Sequence, residues 1–562
     1  MHAHKILNFY PVNIALRNKF SKELRISKVL SQVLINRKIT SLSEADNFLN
    51  AGIDKLLDPF SFEDMRKAVN RIKQAQDKKE RVMIFGDYDV DGITSIAVLR
   101  NTLKRIGIEP EHYIPHRVKD GYGLNKDILK IAKDKQINLL ITVDCGTSSV
   151  KQIAQLKERN IDTIVTDHHQ AEGIPLPAAL AIINPKLKRS TYRYRDLAGV
   201  GVVYKLCQAI SRNILSEELD LVAIGTVADV APLSGENRII VKEGLKNISS
   251  AKRPGIKALI ESSGFRSNNL TPTFISFILS PRLNAAGRMG SAEEALNLIL
   301  SDNYLKAQEL ASLLEQHNRA RQRVEYKIIE EAEAIINREV NFKEHKVIVI
   351  AKEGWHQGVL GIVASKLADR FYRPVIVISL DKDLCKGSGR SIKNFHLFEA
   401  LSDCSSFLSA FGGHSHAVGL TITRQSIEGF KKSINSLAHD KLSLEDLLPS
   451  LDIDMELSFS DLDEASVLEL ERLAPFGAGN TEPLFFTRGL KLKGIPKSLA
   501  RETLKFYATD GVSTREVIGF GLSSLKDNLL KARSFDLIFT ARMDDWQGNS
   551  YVILEAKDIF FK

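Results

Sequence analysis

Cysteine is scarce: Cys145, Cys207, Cys385 and Cys404 are the four in 562 residues, far apart and with no C-x-x-C pair. That excludes a disulfide framework and a thiolate zinc knuckle, and it fits a reducing cytoplasm. No run of about 18 apolar residues occurs, and MHAHKILNFYPVNIALRNKF has no apolar core ahead of a cleavage site. The expectation is a cytoplasmic protein with no membrane segment. The phosphate loops G-x-x-x-x-G-K-[ST] and G-x-G-x-x-G are missing, as is the G-x-S-x-G nucleophile elbow. Nucleotide-driven motor action, dinucleotide chemistry and a hydrolase triad therefore lack their usual supports. There is no internal repeat or low-complexity tract, and with 44% hydrophobic, 26% charged and 7% aromatic residues a disordered or fibrous chain is ruled out. The formal charge of +9 suits a polyanionic partner without identifying one.

What is present is length for roughly three to five folding units, at about 100 to 200 residues each. Residues 1–75 alternate short helical patterns with turn signals and read as an N-terminal arm, closed by a helix that opens on Ser61 or Asp64. From Arg81 the apolar runs VMIF, HYIP, NLLITV, DTIVT and ALAII alternate with helical stretches. This is the pattern of a mostly parallel sheet flanked by helices, so 76–300 is assigned to an α/β domain. Residues 302–338 contain no Gly or Pro and keep apolar residues three and four apart, which predicts a long helix or helix pair joining two lobes over 301–340. A second α/β unit, 341–445, starts at KVIVIAKEG and includes a helix near Val359 to Arg370 and the buried run PVIVISL. Strand-like segments separated by Gly and charged turns fill 446–562, where a small β-barrel of the oligonucleotide-binding type is expected.

Gly86-Asp87-Tyr88-Asp89-Val90-Asp91-Gly92 follows the strand VMIF directly and precedes a helical run beginning ITSI. Three carboxylates thus crowd the C-terminal end of a strand, where open α/β sheets bind ligands. Like charges so close stay ionised together most simply around a cation. A calcium loop also begins D-x-D-x-D-G, but its twelfth position needs Glu and here is Val98. Two further strand ends carry Asp144-Cys145-Gly146-Thr147 and Asp167-His168-His169, and a parallel sheet delivers successive strand ends to one edge. Asp229, inside the apolar run LDLVAIGTVADVAPL, needs a cation, a charge or hydrogen bonds if it is buried. Carboxylates and imidazoles without thiolates favour Mn²⁺ or Mg²⁺ over zinc. The ligand count allows two ions, whose usual chemistry is phosphoester hydrolysis or phosphoryl transfer. The bland alternatives are a solvated turn for GDYDVDG, an exposed turn or helix cap for His168-His169, and a cap for Asp144.

The ordered set GDYDVDG, DCG, DHH and GTVADVAPL resembles the DHH phosphoesterase superfamily. Within it, PHRVKDGYGL, SPRLNAAGR, GWHQGVLGIVASKLADRF, GSGRSI, FGGHSHAVGL and PFGAGNTEP are similar, in order along the chain, to the RecJ family of single-strand-specific 5′-to-3′ DNA exonucleases. The resemblance implies a DHH catalytic domain, a DHH-associated domain and an oligonucleotide-binding barrel. It implies that Asp89, Asp91, Asp144, His168 and Asp229 hold a metal pair, with Asp87 and His169 orienting ligands or contacting the scissile phosphate. Catalysis would then rest on Asp87, Asp144 and His169. It also puts Arg117, Arg282 and Asn284 near substrate phosphates. Ser388 and Arg390 would form the pocket for the terminal 5′-phosphate, where an Arg fork matches phosphate geometry. Trp355, His356 and His414 are candidate DNA contacts. The residues alone leave other uses open: a surface ion pair for Arg117, a cap for Arg282, packing for Trp355, a tight turn around His414 and His416, and a solvated helix face for Arg319, Arg321 and Arg323.

The implied reaction is two-ion hydrolysis of single-stranded DNA to 5′-mononucleotides, serving recombination and repair, by a monomer working with single-strand-binding protein and a helicase. One rival is another DHH phosphoesterase, acting on short oligonucleotides, cyclic dinucleotides or pyrophosphate. A second is a non-catalytic DNA-binding scaffold, which conflicts with the presence of every metal-motif acid and His168.

Overall fold

The computed structural model describes residues 5–117, 120–121, 123–170, 173, 175–267, 270–546 and 549–562. They form two compact units, the first built mainly from Asp58–Asp229 and Gly244–Pro449, the second from Ile6–Leu57, Val230–Glu243 and Ser450–Lys562.

In the first unit, strand β1 (Val82–Gly86) leads into helix α1 (Val90–Arg105), followed by β2 (Glu111–Tyr113), β3 (Leu139–Val143), β4 (Asp162–Thr166) and β5 (Ala181–Ile183). The five strands form one parallel sheet in the order β2-β1-β3-β4-β5. β1 and β3 are buried throughout, which is why they read as unbroken apolar runs and not as alternating ones. Register then does the positioning. Gly86 pairs with Val143, and Val143 with Thr166, so Asp87, Asp144 and Asp167 leave the sheet side by side at one edge.

α1 opens at Val90, inside the acidic motif and ahead of ITSI. Asp89 is its N-cap and accepts from the Gly92 N–H at 3.1 Å, and this bond to an otherwise unpaired amide outweighs the apolar periodicity that marks the later start. Helices α2 (Gly199–Ser211) and α3 (Leu219–Ala228) follow, then α4 (Ser280–Met289) and the 36-residue α5 (Tyr304–Glu339). At 1.5 Å per residue α5 is about 54 Å long, and it buries Ala307, Ala311, Leu314, Ile328, Ala332 and Ile336 along one stripe.

The second lobe of this unit holds β6 (Ile348–Glu353), α6 (Leu360–Phe371), β7 (Val375–Leu380), β8 (Leu384–Arg390), β9 (Leu408–Gly413) and β10 (Ala417–Thr423). Its sheet runs β9-β10-β8-β7-β6. Only β6 and β7 are parallel, joined through α6, and the other pairs are antiparallel.

In the second unit β11 (Phe485–Leu499), β12 (Thr503–Thr509), β13 (Thr514–Gly519), β14 (Phe535–Trp546) and β15 (Asn549–Phe561) pair in the order β11-β12-β13-β15-β14, and β14 returns to β11. The sheet is therefore a closed barrel, as expected of an oligonucleotide-binding fold. Helices Ile14–Leu24, Lys28–Asn36 and Leu42–Asn50 share its core: Phe20, Leu30 and Val33 lie in one cluster with Phe459, Phe485, Phe506, Phe535 and Phe539. The stretch read as an arm up to residue 75 is thus divided between the two units. Helices of 9 to 11 residues cannot bury an apolar face by themselves and need such a partner. Among the described residues no helix is long and apolar enough to cross a membrane.

Candidate active site

The strand ends converge on one cluster. Asp87, Asp89 and Asp144 form one group of ligand atoms, Asp91, His168 and Asp229 a second, and Asp144, His168 and His169 a third, with the atoms of each group within 4.8 Å of one another. His168 links them: its Nε2 lies 3.2 Å from Asp144 Oδ1 and 3.8 Å from Asp91 Oδ2, and its Nδ1 lies 3.7 Å from Asp229 Oδ2. Asp144 reaches in from a left-handed backbone with φ 60°, a conformation that Asp adopts more readily than most residues. Both oxygens of Asp91 accept backbone N–H groups from the start of α2, Gly199 to Oδ2 and Val200 to Oδ1, each at 2.7 Å.

Asp167 was not among the predicted site residues. Its carboxylate accepts from the backbone N–H of Thr147 at 2.9 Å, His168 at 2.7 Å and His169 at 3.1 Å, and it lies 2.8 Å from His169 Nδ1. It orients the imidazole two residues away, and the adjacency of a strand-end Asp to two His was the available signal.

Burial raises Asp87 well above the usual carboxylate range, with help from the Asp89 charge, and raises Asp144 likewise, with help from Asp91, Asp89, Asp87 and Asp229. Burial and then Asp89 push Asp91 up to about 7, and burial and then Asp91 push Asp229 up to about 8. Burial and the neighbouring His169 hold His168 well below the ordinary imidazole value, so it is neutral and able to donate a lone pair. His169 moves the other way: burial would lower it, but the bond to Asp167 and that residue's charge carry it up to about 9. Asp167 in turn stays low in spite of its burial. Asp87 Oδ1 is buried with no hydrogen-bond donor among the described residues. Mutually repelling carboxyls, a neutral imidazole and an orphaned oxygen are the features a divalent cation satisfies, and an all-oxygen and nitrogen donor set suits Mn²⁺ or Mg²⁺.

A cleft of about 360 Å³ adjoins the cluster, lined by Tyr88 and Arg117 from the catalytic lobe and by Gln357, Lys386, Ser388, Phe411 and Leu420 from the second lobe. The Arg117 guanidinium sits 4.7 Å from the centre of the Tyr88 ring, a cation–π contact. On β8, Arg390 Nη1 lies 3.4 Å from Ser388 Oγ and donates to the Gly389 carbonyl at 2.8 Å. Burial and Arg117 lower Arg390, and burial followed by Arg117, Arg321 and Arg390 lowers Arg288 to about 9. Arg288, the last residue of SPRLNAAGR, was also missed from sequence. Its Nη1 donates to the Gly358 carbonyl at 2.8 Å, joining the catalytic lobe to the turn that opens α6. Guanidinium groups that repel one another in a shared environment favour an anion between them. His414 is brought to the cluster too, its ring 6.1 Å from that of His169 with planes 15° apart.

Other predicted contacts are used differently. Arg282 is buried, with Nε 2.8 Å from Glu315 of α5 and Nη1 donating to the Ile278 carbonyl at 2.7 Å. Asn284 is half-buried, and its Oδ1 has no donor among the described residues. Trp355 is 3% exposed, packs with Ile328 and Val363, and donates its indole N–H to Glu331 at 2.8 Å. A ring so enclosed cannot stack on a base, so it is core and not a DNA contact. His356 is exposed and accepts from the Gly358 N–H at 3.1 Å, capping the turn into α6. Arg319 and Arg321 pair with Glu315 and Glu325 of their own helix. Within PHRVKDGYGL, Val118, Lys119 and Tyr122 lie outside the described residues.

Family models match the chain in three places: DHH family, N-terminal domain, over residues 81–226; DHHA1 domain over 344–440; and RecJ OB domain over 453–558. The single-stranded-DNA-specific exonuclease RecJ of Bacillus subtilis is 37% identical over 541 residues, 96% of this chain and 68% of that protein. Its namesake from Haemophilus influenzae is 35% identical over 545 residues, 93% of this chain and 94% of that protein. The crystal structure of RecJ in complex with Mn²⁺ from Thermus thermophilus matches with a TM-score of 0.85 at 27% identity, over 100% of this chain and 80% of that one. The Mg²⁺ complex from the same organism matches at 0.79 and 26%, over 99% and 78%. With the three family models in this order along the chain and relatives 35–37% identical over more than nine-tenths of it, the chain belongs to the RecJ family of the DHH superfamily.

Proposed function

We propose that the protein is a single-strand-specific DNA exonuclease that starts at a 5′ end and releases 5′-mononucleotides. The observation that carries this reading is the junction of two ligand groups through His168, beside a cleft lined by Arg117, Lys386 and Ser388. Asp89, Asp91, Asp144, His168 and Asp229 would hold a pair of Mn²⁺ or Mg²⁺ ions. The two oxygens of Asp91 keep lone pairs beyond those used by the α2 amides. Bound there, the cations supply Lewis acidity toward the scissile phosphate and a water of lowered pKa. Asp87 accepts a proton or orients a donor at the same edge. His169, kept protonated by Asp167, presents a positive N–H face to a phosphate oxygen. Arg117, Arg390 and Ser388 hold the terminal phosphate and so set polarity, and Arg288 adds charge close to Arg117 and Arg390. In this reading the cleft takes one strand with splayed bases, and the barrel is a second surface for nucleic acid. The same reading makes the protein a cytoplasmic monomer in recombination and repair, with single-strand-binding protein and a helicase as partners that supply unwound ends.

The test is a degradation time course on 5′- and 3′-labelled single strands, with a duplex and a cyclic dinucleotide as controls. The 5′ label should appear at once as mononucleotide while the 3′ label shortens progressively, and the duplex should persist. Early release of the 3′ label, or preference for the cyclic dinucleotide, overturns the reading. Asp144→Ala should lower the rate in Mn²⁺ by at least about a hundredfold with an unchanged circular dichroism spectrum; undiminished activity would remove Asp144 from the metal site.

A further inference from the structure

Asp91 and Asp144 come from different segments, the first turn of α1 and the end of β3, yet both press on one residue. Gly199, which opens α2, donates its N–H to Asp91 Oδ2 at 2.7 Å. On its other side there is no room. A Cβ built on Gly199 would lie 2.4 Å from Asp144 Oδ1 and 2.8 Å from both Cβ and Cγ of Asp144, distances that real Cβ atoms essentially never show. Because the Cβ of Asp144 is itself in the way, turning the side chain does not clear the collision, and the backbone, already at φ 60°, has to shift. Gly225 of α3 closes the far flank of Asp91: a Cβ there would meet Thr94 Oγ1 at 2.3 Å and Asp91 Oδ1 at 3.2 Å. Helix formation gives no reason for either glycine, since alanine is the better helix former.

We propose that Gly199 is a positioning residue for the metal pair: its amide clamps Asp91 while Asp144 fills the space its side chain would need, so one residue sets the separation of two ligands. The inference rests on the reading of Asp91 and Asp144 as metal-holding acids.

Gly199→Ala tests it in the full-length protein, read by calorimetric Mn²⁺ binding and by the melting temperature without metal. Both are repeated in an Asp144→Gly background, which keeps the left-handed backbone and deletes the colliding atoms. Gly199→Ala should weaken Mn²⁺ binding about tenfold or more and lower the metal-free melting temperature, and in the Asp144→Gly background that lowering should vanish. Mn²⁺ affinity within about twofold of the parent, or an equal loss of melting temperature in both backgrounds, overturns the proposal. If Gly199→Ala alone fails to fold, recovery on adding Asp144→Gly supports the collision and no recovery refutes it. Asp144→Gly by itself judges the underlying reading: unchanged Mn²⁺ affinity there removes Asp144 from the ligands, while the melting temperatures still decide the steric claim.

Discussion

Asp167 accepts three backbone N–H groups and faces the His169 imidazole, so its contribution to the site passes through the groups it holds. Asp167→Asn keeps the shape but replaces one acceptor oxygen with an N–H donor. Mn²⁺ binding should weaken about 10- to 100-fold, and urea denaturation should show a loss of about 2 kcal/mol from charge-assisted bonds. Undiminished metal affinity would make Asp167 a purely structural turn residue. Arg390 is argued at the same scale. Its guanidinium lies beside Ser388, which lines the cleft, and feels the charge of Arg117, so Arg390→Ala should cost about tenfold or more on 5′-phosphorylated strands and little on 5′-hydroxyl strands. Equal losses on both would remove the end pocket. The candidate acids Asp87, Asp89, Asp91 and Asp144 were readable residue by residue because their motifs are local, each just after one strand. Arg282 was not, since its partner Glu315 lies on another helix, and nothing near Arg282 in the chain announces a buried ion pair.

At the scale of elements, the helix Met65–Asp77 is tied to the edge strand β5 by the residue before it. Asp64 takes the N-cap position without capping: its carboxylate accepts from Lys67 Nζ at 2.9 Å, the Ile182 N–H at 3.1 Å and Arg189 Nη2 at 2.9 Å. Burial alone would raise Asp64, but Lys67, the Ile182 amide and Arg189 outweigh it and hold the carboxyl below its usual range. The sign follows: the folded state binds this proton less readily than the unfolded state. The stabilisation is therefore complete above the ordinary carboxylate range, near about 3.9, and is lost as pH falls through the lower folded value. Asp64→Asn should cost about 2 kcal/mol at neutral pH and flatten the acid limb of a stability-against-pH curve from denaturant titrations. A parallel shift of the whole curve would show that the carboxylate charge is not what matters. The opening on Ser61 or Asp64 was readable from residue type, but the β5 partner was not, because Ile182 is 118 positions away.

Across the whole molecule the formal charge is +9, yet acids gather at one cluster while Arg117 and Lys386 line the neighbouring cleft and Arg288 lies close enough to Arg117 and Arg390 to feel their charge. Binding of a short single-stranded oligonucleotide to the Asp144→Ala protein should therefore fall linearly in log–log salt plots, with about 0.7 of slope per phosphate neutralised. Arg288→Ala should reduce that slope by about 0.7, as measured by fluorescence anisotropy. An unchanged slope would exclude Arg288 from phosphate contact. The sequence by itself determined the parallel catalytic sheet, the long connecting helix, the closing barrel and which acids are candidates to hold metal, because period and motif chemistry act between near neighbours in the chain. Tertiary structure alone decided that Phe20 and Leu30 share a core with Phe506 and Phe535, that Trp355 is enclosed, and that Gly199 stands between Asp91 and Asp144. Each of these depends on which distant surface meets a side chain and on how much room it leaves, and close packing settles that only once the chain is folded.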